Sequence, residues 1–112
     1  MSVAGIVRAQ SAGDADRGRM LYEQRCMACH SPESNRVGPM HKGVVGRRAG
    51  SVPGFAYSDA LGRAKFVWNE TRLDAWLANP EKLVPGQRMG YSVPEASDRR
   101  DLIAYLRSLY AQ

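Results

Sequence analysis

Five consecutive residues, Cys26-Met27-Ala28-Cys29-His30, carry the most distinctive chemistry in this 112-residue chain. Cysteines at i and i+3 on a helical turn project to one side of it. They can add as thioethers to the two vinyl groups on one porphyrin edge, while the next residue, His30, is rotated to offer an imidazole nitrogen to the iron. This C-x-x-C-H run is the attachment motif for c-type haem. Two other chemistries use similar spacing. A redox disulfide normally opens a helix that follows a strand, and the chain has no βαβ pattern. A zinc site needs a fourth ligand at suitable spacing, and the only other histidine is His41. The expected cofactor is therefore one haem c, covalent through Cys26 and Cys29.

A second axial ligand has to come from elsewhere, and the candidates are Met20, Met27, Met40, His41 and Met89. Met27, between the cysteines, points off the haem side of its helix. Met20 lies on the same helix, where a methionine at helical spacing more often fills core. Met40 and His41 follow His30 by a short path. Met89 stands 59 residues after His30, in Pro85-Gly86-Gln87-Arg88-Met89-Gly90-Tyr91. A Pro-Gly turn and a following glycine suit a loop that brings a thioether up to a metal.

Three helices are expected to position these groups. The first spans residues 14 or 16 to 30, with acidic residues in its first turn and Gly18, Tyr22 and Cys26 on one face. The second runs from about 69, with Asn69 as N-cap, to 79, where Pro80 stops it; Leu73, Trp76 and Leu77 form its apolar stripe. The third begins near Ser97, with a stripe of Leu102, Ile103, Leu106, Leu109 and Tyr110. Between the first two lies a long segment punctuated by glycine and proline, with no strand pattern that would build a sheet. So much loop needs something to organise it, and a haem supplies that.

Composition bounds the rest. An apolar share of 44% and a charged share of 24% exclude disorder, collagen-like repeats and coiled coil. The apolar runs are too short to span a bilayer. Sixteen Lys and Arg against eleven Asp and Glu leave a net charge of +5, which favours acidic partners without saying of what class. Residues 1–13 read as a tail, a leader remnant or a linker, and 14–112 as a single domain.

Over nearly the whole of that domain, residues 18 to 109, the chain resembles the class I c-type cytochromes, and within them mitochondrial cytochrome c and its soluble bacterial relatives of the cytochrome c2 type. Gly18 and Tyr22 match the family's first helix, whose glycine lets the last helix cross closely. Gly38-Pro39 matches a turn whose proline carbonyl accepts from the ligand imidazole, which would make Pro39 the residue orienting His30. Gly46-Arg47 and Gly54-Phe55-Ala56-Tyr57 match the loop closing the lower haem edge, and Trp68 a tryptophan bonded to a haem propionate. Arg47, Tyr57 and the Trp68 indole are donors of the kind a propionate needs; core packing is the plainer account of Tyr57 and Trp68, and a solvated charge that of Arg47. Residues 79–89 match the distal-ligand loop, making Met89 the second axial ligand beside His30, and residues 101–106 match the final helix.

The match has departures. Trp76 stands where the family has a tyrosine bonded to the ligand sulfur, Gln87 replaces a hydroxyl residue, and Leu61 an asparagine. The 30–38 loop is short. Glu81 and Glu95 fall at positions of docking lysines, and only Lys42, Lys65 and Lys82 are lysines at all.

The resemblance implies an all-α cytochrome c fold, three main helices and loops wrapped around one covalently attached haem. It implies a soluble single-haem electron carrier, not an enzyme, monomeric and without affinity for nucleic acid. Expected partners are acidic-faced redox proteins: a membrane oxidase, a cytochrome bc-type complex, a reaction centre or a periplasmic dehydrogenase. Arg25, Lys82 and Arg88 should flank the haem edge that meets them. The expected compartment is a bacterial periplasm, with the mitochondrial intermembrane space as the alternative. Two other readings keep the same motif: a ligand-binding or peroxidatic haem protein with Met89 off the iron, and a haem domain of a larger dehydrogenase or oxidase.

Overall fold

A computed structural model describes residues 13–110 of the chain. The expected N-terminal tail lies outside the described residues except for Gly13. Among the described residues five helices follow one another: α1 (Ala15–Arg25), α2 (Asp59–Gly62), α3 (Glu70–Ala78), α4 (Pro80–Leu83) and α5 (Ala96–Arg107). Among the described residues the only strand-like pairing is an isolated antiparallel bridge between Arg48 and Val67, so the all-α expectation holds. No described helix is long and apolar enough to cross a membrane.

The helix starts follow their capping residues. Asp14 accepts from the N–H groups of Asp16 and Arg17 at the head of α1, and Asn69 accepts from Arg72 N–H at 2.7 Å at the head of α3. α3 ends at Ala78. Pro80 then opens α4 at its first position, where a missing N–H costs nothing. The short helices α2 and α4 carry too few residues for a periodic pattern, and the sequence gives no sign of them as helices.

The ends of the two long helices differ from expectation. α1 stops at Arg25 rather than reaching His30. The Tyr22 carbonyl accepts from both Cys26 N–H, at 2.8 Å, and Met27 N–H, at 3.2 Å. This double acceptance breaks the regular i to i−4 ladder. Cys26 O then accepts from Cys29 and His30 N–H, so the attachment motif is a separate tight turn. α5 ends at Arg107, which leaves Leu109 half-buried and Tyr110 71% exposed instead of on the core stripe. Met20 is not core filling either; it is exposed on α1.

The packing that frames the site is the crossing of α1 over α5. At Gly18 an added Cβ would lie 1.9 Å from the Asp101 carbonyl oxygen and 2.9 Å from the Tyr105 Cβ, so only glycine permits this approach. Beside it Tyr22, 1% exposed, meets the Tyr105 ring at 5.2 Å. Arg17 spans the two helices, donating to Asp101 Oδ2 at 2.8 Å and to Asp98 Oδ1 at 2.6 Å. One apolar cluster, including Tyr22, Trp68, Leu73, Trp76, Val93 and Leu102, runs through the interior. Cys26 and Met89, far apart in sequence, both pack against its margin.

Candidate haem-binding site

In the attachment turn Cys26 is half-buried and Cys29 exposed, and the two form no disulfide. Burial pushes the Cys26 thiol up to about 11; Cys26 and Cys29 are the residues that would hold a haem through thioethers. Arg36 braces this turn. Its guanidinium donates to Met27 O at 2.5 Å, His30 O at 3.1 Å and Ala28 O at 3.3 Å. Nothing in the sequence marks Arg36, because the loop that returns it to the motif has no regular pattern.

His30 is held by the 38–39 turn. Its Nδ1 donates to the Pro39 carbonyl at 2.9 Å, which fixes the tautomer and leaves the Nε2 lone pair free for a metal. The backbone of Gly38 lies so close that a Cβ there would come within 2.1 Å of the His30 ring. Burial lowers the His30 pKa, opposed by the Pro39 bond and helped by the Arg36 charge. The imidazole is therefore neutral at neutral pH, as a ligand must be.

His41 is brought to His30, not across from it. The two rings stack at 4.1 Å with planes 22° apart, and the Tyr22 hydroxyl lies 2.8 Å from His41 Nδ1. A ring held against His30 is not placed to bond iron from the opposite face. Met27 is exposed beside the cysteines, and Met40 is half-buried next to His41. Met89 lies half-buried against the apolar cluster, close after Gly86 at φ +92° and just before Gly90 at φ +62°.

The three propionate candidates are occupied to different degrees. Arg47 is half-buried and donates to Met40 O at 2.9 Å and Lys42 O at 3.2 Å. Burial lowers its pKa, and it forms no ion pair with any carboxylate among the described residues. Tyr57 accepts from Val52 N–H at 3.0 Å through its hydroxyl oxygen, so the phenolic proton is free to donate elsewhere. Trp68 is buried, its ring edge-on to Phe66 at 5.0 Å and to Trp76 at 5.4 Å. Its indole N–H has no protein acceptor among the described residues. Among the described residues no unpartnered side-chain nitrogen or oxygen is fully buried, so that N–H opens on accessible space.

A haem fits these residues. A half-buried guanidinium without a carboxylate, a free phenolic proton and an open indole N–H suit buried propionates. A neutral imidazole with Nδ1 bonded to Pro39 O and Nε2 free suits iron. A zinc site does not fit, since no group of three or more His, Cys, Asp or Glu among the described residues is arranged to hold a metal ion.

Comparison with known proteins agrees. The sequence profile of the family described as cytochrome c matches residues 15–110. The chain belongs to the cytochrome c family. It is 45% identical over 100 residues to cytochrome c of Euglena viridis, covering 87% of this chain and 98% of that one. It is 41% identical to cytochrome c2 of Rhodomicrobium vannielii, covering 93% and 86%. The solved structure of cytochrome cH from Methylobacterium extorquens superposes with a TM-score of 0.81 at 43% identity, covering 86% of this chain and 99% of that one. As a cytochrome c family member the protein is a single-haem electron carrier, not an enzyme, and it passes electrons between redox partners. Its cofactor is one haem c, covalently attached through Cys26 and Cys29.

Proposed function

We propose that His30 and Met89 are the two axial ligands of this haem and that Pro39 orients His30, while Arg47, Tyr57 and Trp68 serve the propionates. The observation that carries this reading is the 2.9 Å bond from His30 Nδ1 to Pro39 O, which readies the outer nitrogen for a metal. The haem supplies one-electron chemistry at iron, and a thioether paired with an imidazole favours its ferrous state. The protein's part is to hold its own groups still. Pro39 and Gly38 fix the imidazole, Arg36 fixes the carbonyls of the attachment turn, and the glycines at 86 and 90 bend the chain on either side of Met89. With both axial positions filled from the chain, oxygen chemistry is disfavoured.

Met27, Ala28 and Arg88 are exposed beside the attachment turn or in the ligand loop, the side proposed for electron exit. Arg36, Lys82 and Arg88 are exposed too, and none pairs with a carboxylate among the described residues. Arg25 contributes less field than the sequence suggests, because it donates to Tyr91 Oη at 2.8 Å and pairs with Asp98 at 3.2 Å. The remaining cations suit acidic-faced partners met in brief encounters: an oxidase, a bc-type complex, a reaction centre or a periplasmic dehydrogenase. The bacterial periplasm is the compartment we favour, since thioether haem is attached outside the cytoplasm and the chain has the short 30–38 loop of bacterial forms.

The test is Met89→Ala. The variant should keep covalent haem, bind carbon monoxide rapidly when reduced, and show a lower potential. The band near the red edge assigned to methionine–iron(III) charge transfer should vanish. An unchanged low-spin spectrum would remove Met89 from the iron.

A further inference from the structure

The contact between His41 and His30 is used neither by covalent attachment nor by the propionate site. Nothing about the attachment chemistry requires an aromatic ring at position 41, and an aliphatic side chain would fill the same space. Instead an imidazole lies nearly parallel to the His30 ring, with centroids 4.1 Å apart and planes at 22°. Its backbone is tied down, with His41 N–H donating to Ser31 O and His41 O accepting from Val44 N–H.

The far side of His41 is anchored as well. Tyr22 Oη and His41 Nδ1 are 2.8 Å apart. The Tyr22 side chain is fully buried and its hydroxyl has no other partner among the described residues. A buried phenolic O–H with one partner donates to it. Tyr22 therefore donates to Nδ1, and the His41 proton sits on Nε2. Burial raises the Tyr22 pKa well above its ordinary value. Tyr22 in turn sits at the α1–α5 crossing, against Tyr105.

The hydrogen bond from His30 Nδ1 to Pro39 O fixes one point of the imidazole and the Gly38 backbone flanks the ring, but these two alone let the ring pivot about that point. A second ring laid flat against it does not. The geometry points to His41 as a positioning residue for the axial imidazole: hydrogen-bonded by Tyr22, it sets the plane of the His30 ring and links that plane to the helix crossing. The orientation of a ligand imidazole is governed by such outer contacts. In a ferric low-spin haem it is read directly from the spread of the haem methyl proton resonances and the principal g-values. This inference rests on His30 being an axial ligand.

The experiment compares wild-type holoprotein with Tyr22→Phe, His41→Leu and His41→Phe by ferric proton NMR, electron paramagnetic resonance, redox titration and thermal melting. Tyr22→Phe keeps shape and removes only the hydroxyl. His41→Leu removes the ring, and His41→Phe keeps a flat ring without Nδ1. The haem methyl pattern and g-values should shift in Tyr22→Phe and shift further in His41→Leu, with the methionine–iron(III) band retained and the potential moved. His41→Phe should fall between wild type and His41→Leu, and serves the same comparison if the leucine variant takes up no haem. A lowered Tm with methyl pattern, g-values and potential all unchanged in the position-41 variants overturns the proposal and leaves His41 a packing residue. An unchanged pattern in Tyr22→Phe alone overturns the link to the helix crossing. Wild-type spectra without imidazole ligation would overturn the axial role of His30 as well, whereas histidine–methionine ligation with unmoved variants overturns only the role of His41.

Discussion

Gln87 and Glu81 tie the ligand loop across its base. Gln87 Nε2 donates to Glu81 Oε1 at 3.0 Å, while Glu81 Oε2 accepts from Gly86 N–H at 2.9 Å. The other end of the same amide, Gln87 Oε1, accepts from Gly90 N–H at 3.0 Å. Met89 lies between the two glycines. This tie is built from two of the residues that the sequence reading marks as departures from the family pattern. The Gln87 amide and then the Gly86 N–H hold Glu81 below its ordinary value of 4.5, so the carboxylate is charged at neutral pH.

Gln87→Ala should therefore loosen the loop without touching the apolar cluster. Its methionine–iron(III) band should disappear at lower pH in an alkaline titration than that of wild type. Glu81→Gln, which keeps an acceptor, should shift the midpoint in the same direction but less. Coincident midpoints in all three proteins would show that the tie does not restrain Met89.

Lys82 is the one lysine in the 79–91 segment, and its side chain is exposed on α4. Ferric iron, the harder ion, prefers a free amine to a thioether. Arg88 cannot substitute, because a guanidinium stays protonated. Lys82→Ala should abolish the nitrogen-ligated alkaline form or move it to distinctly higher pH, with neutral spectra unchanged. Equal midpoints and equal high-pH spectra in wild type and variant would count against Lys82 as the replacing ligand.

Gly18→Ala tests the helix crossing. A methyl group placed 1.9 Å from Asp101 O has backbone, not a flexible side chain, in its way. The helices must part, at a cost of about 3 kcal/mol, which lowers Tm by roughly 15 °C in a domain of this size. Calorimetry of the holoprotein measures it, and a loss under about 1 kcal/mol would mean the crossing adjusts freely.

Asp101 gives the crossing a pH dependence. Burial alone would raise its pKa, but the Arg17 guanidinium, the Asp14 N–H and the charges of Arg17 and Arg100 outweigh that, and the net shift is downward from 3.8. A carboxyl with a depressed folded value contributes stability above its unfolded pKa. That stability is lost as pH falls through the folded value. Asp101→Asn should thus cost about 1–2 kcal/mol at neutral pH, modest because Arg17 is half exposed. Below pH ~4 the wild-type stability should fall towards that of the variant, since the carboxyl is then protonated in the unfolded chain and progressively in the folded one. Parallel stability curves through acid would exclude this pair as the source.

Much of this protein is written in local spacing. Residues 26–30 disclose the cofactor because two thioether bonds and an adjacent imidazole demand that order within one turn. Asp14 and Asn69 mark where helices begin and Pro80 where one must stop, because caps and breakers act between residues only a few positions apart. Gly18 is legible as a crossing point only through its match to relatives, and Met89 only through its loop. The tertiary structure decided what depends on distant partners. The end of α1 is set by the Tyr22 carbonyl accepting twice, which no periodicity records. Arg36 folds back over the attachment turn, Arg47 spends two donors on the carbonyls of Met40 and Lys42, and Arg25 is drawn to Asp98 and Tyr91. His41, one of several candidate ligands in the sequence, lies against His30 because Tyr22 holds it there. A motif is legible when its geometry is contained in one stretch of backbone; a contact between side chains brought together by packing exists only once the chain has closed around it.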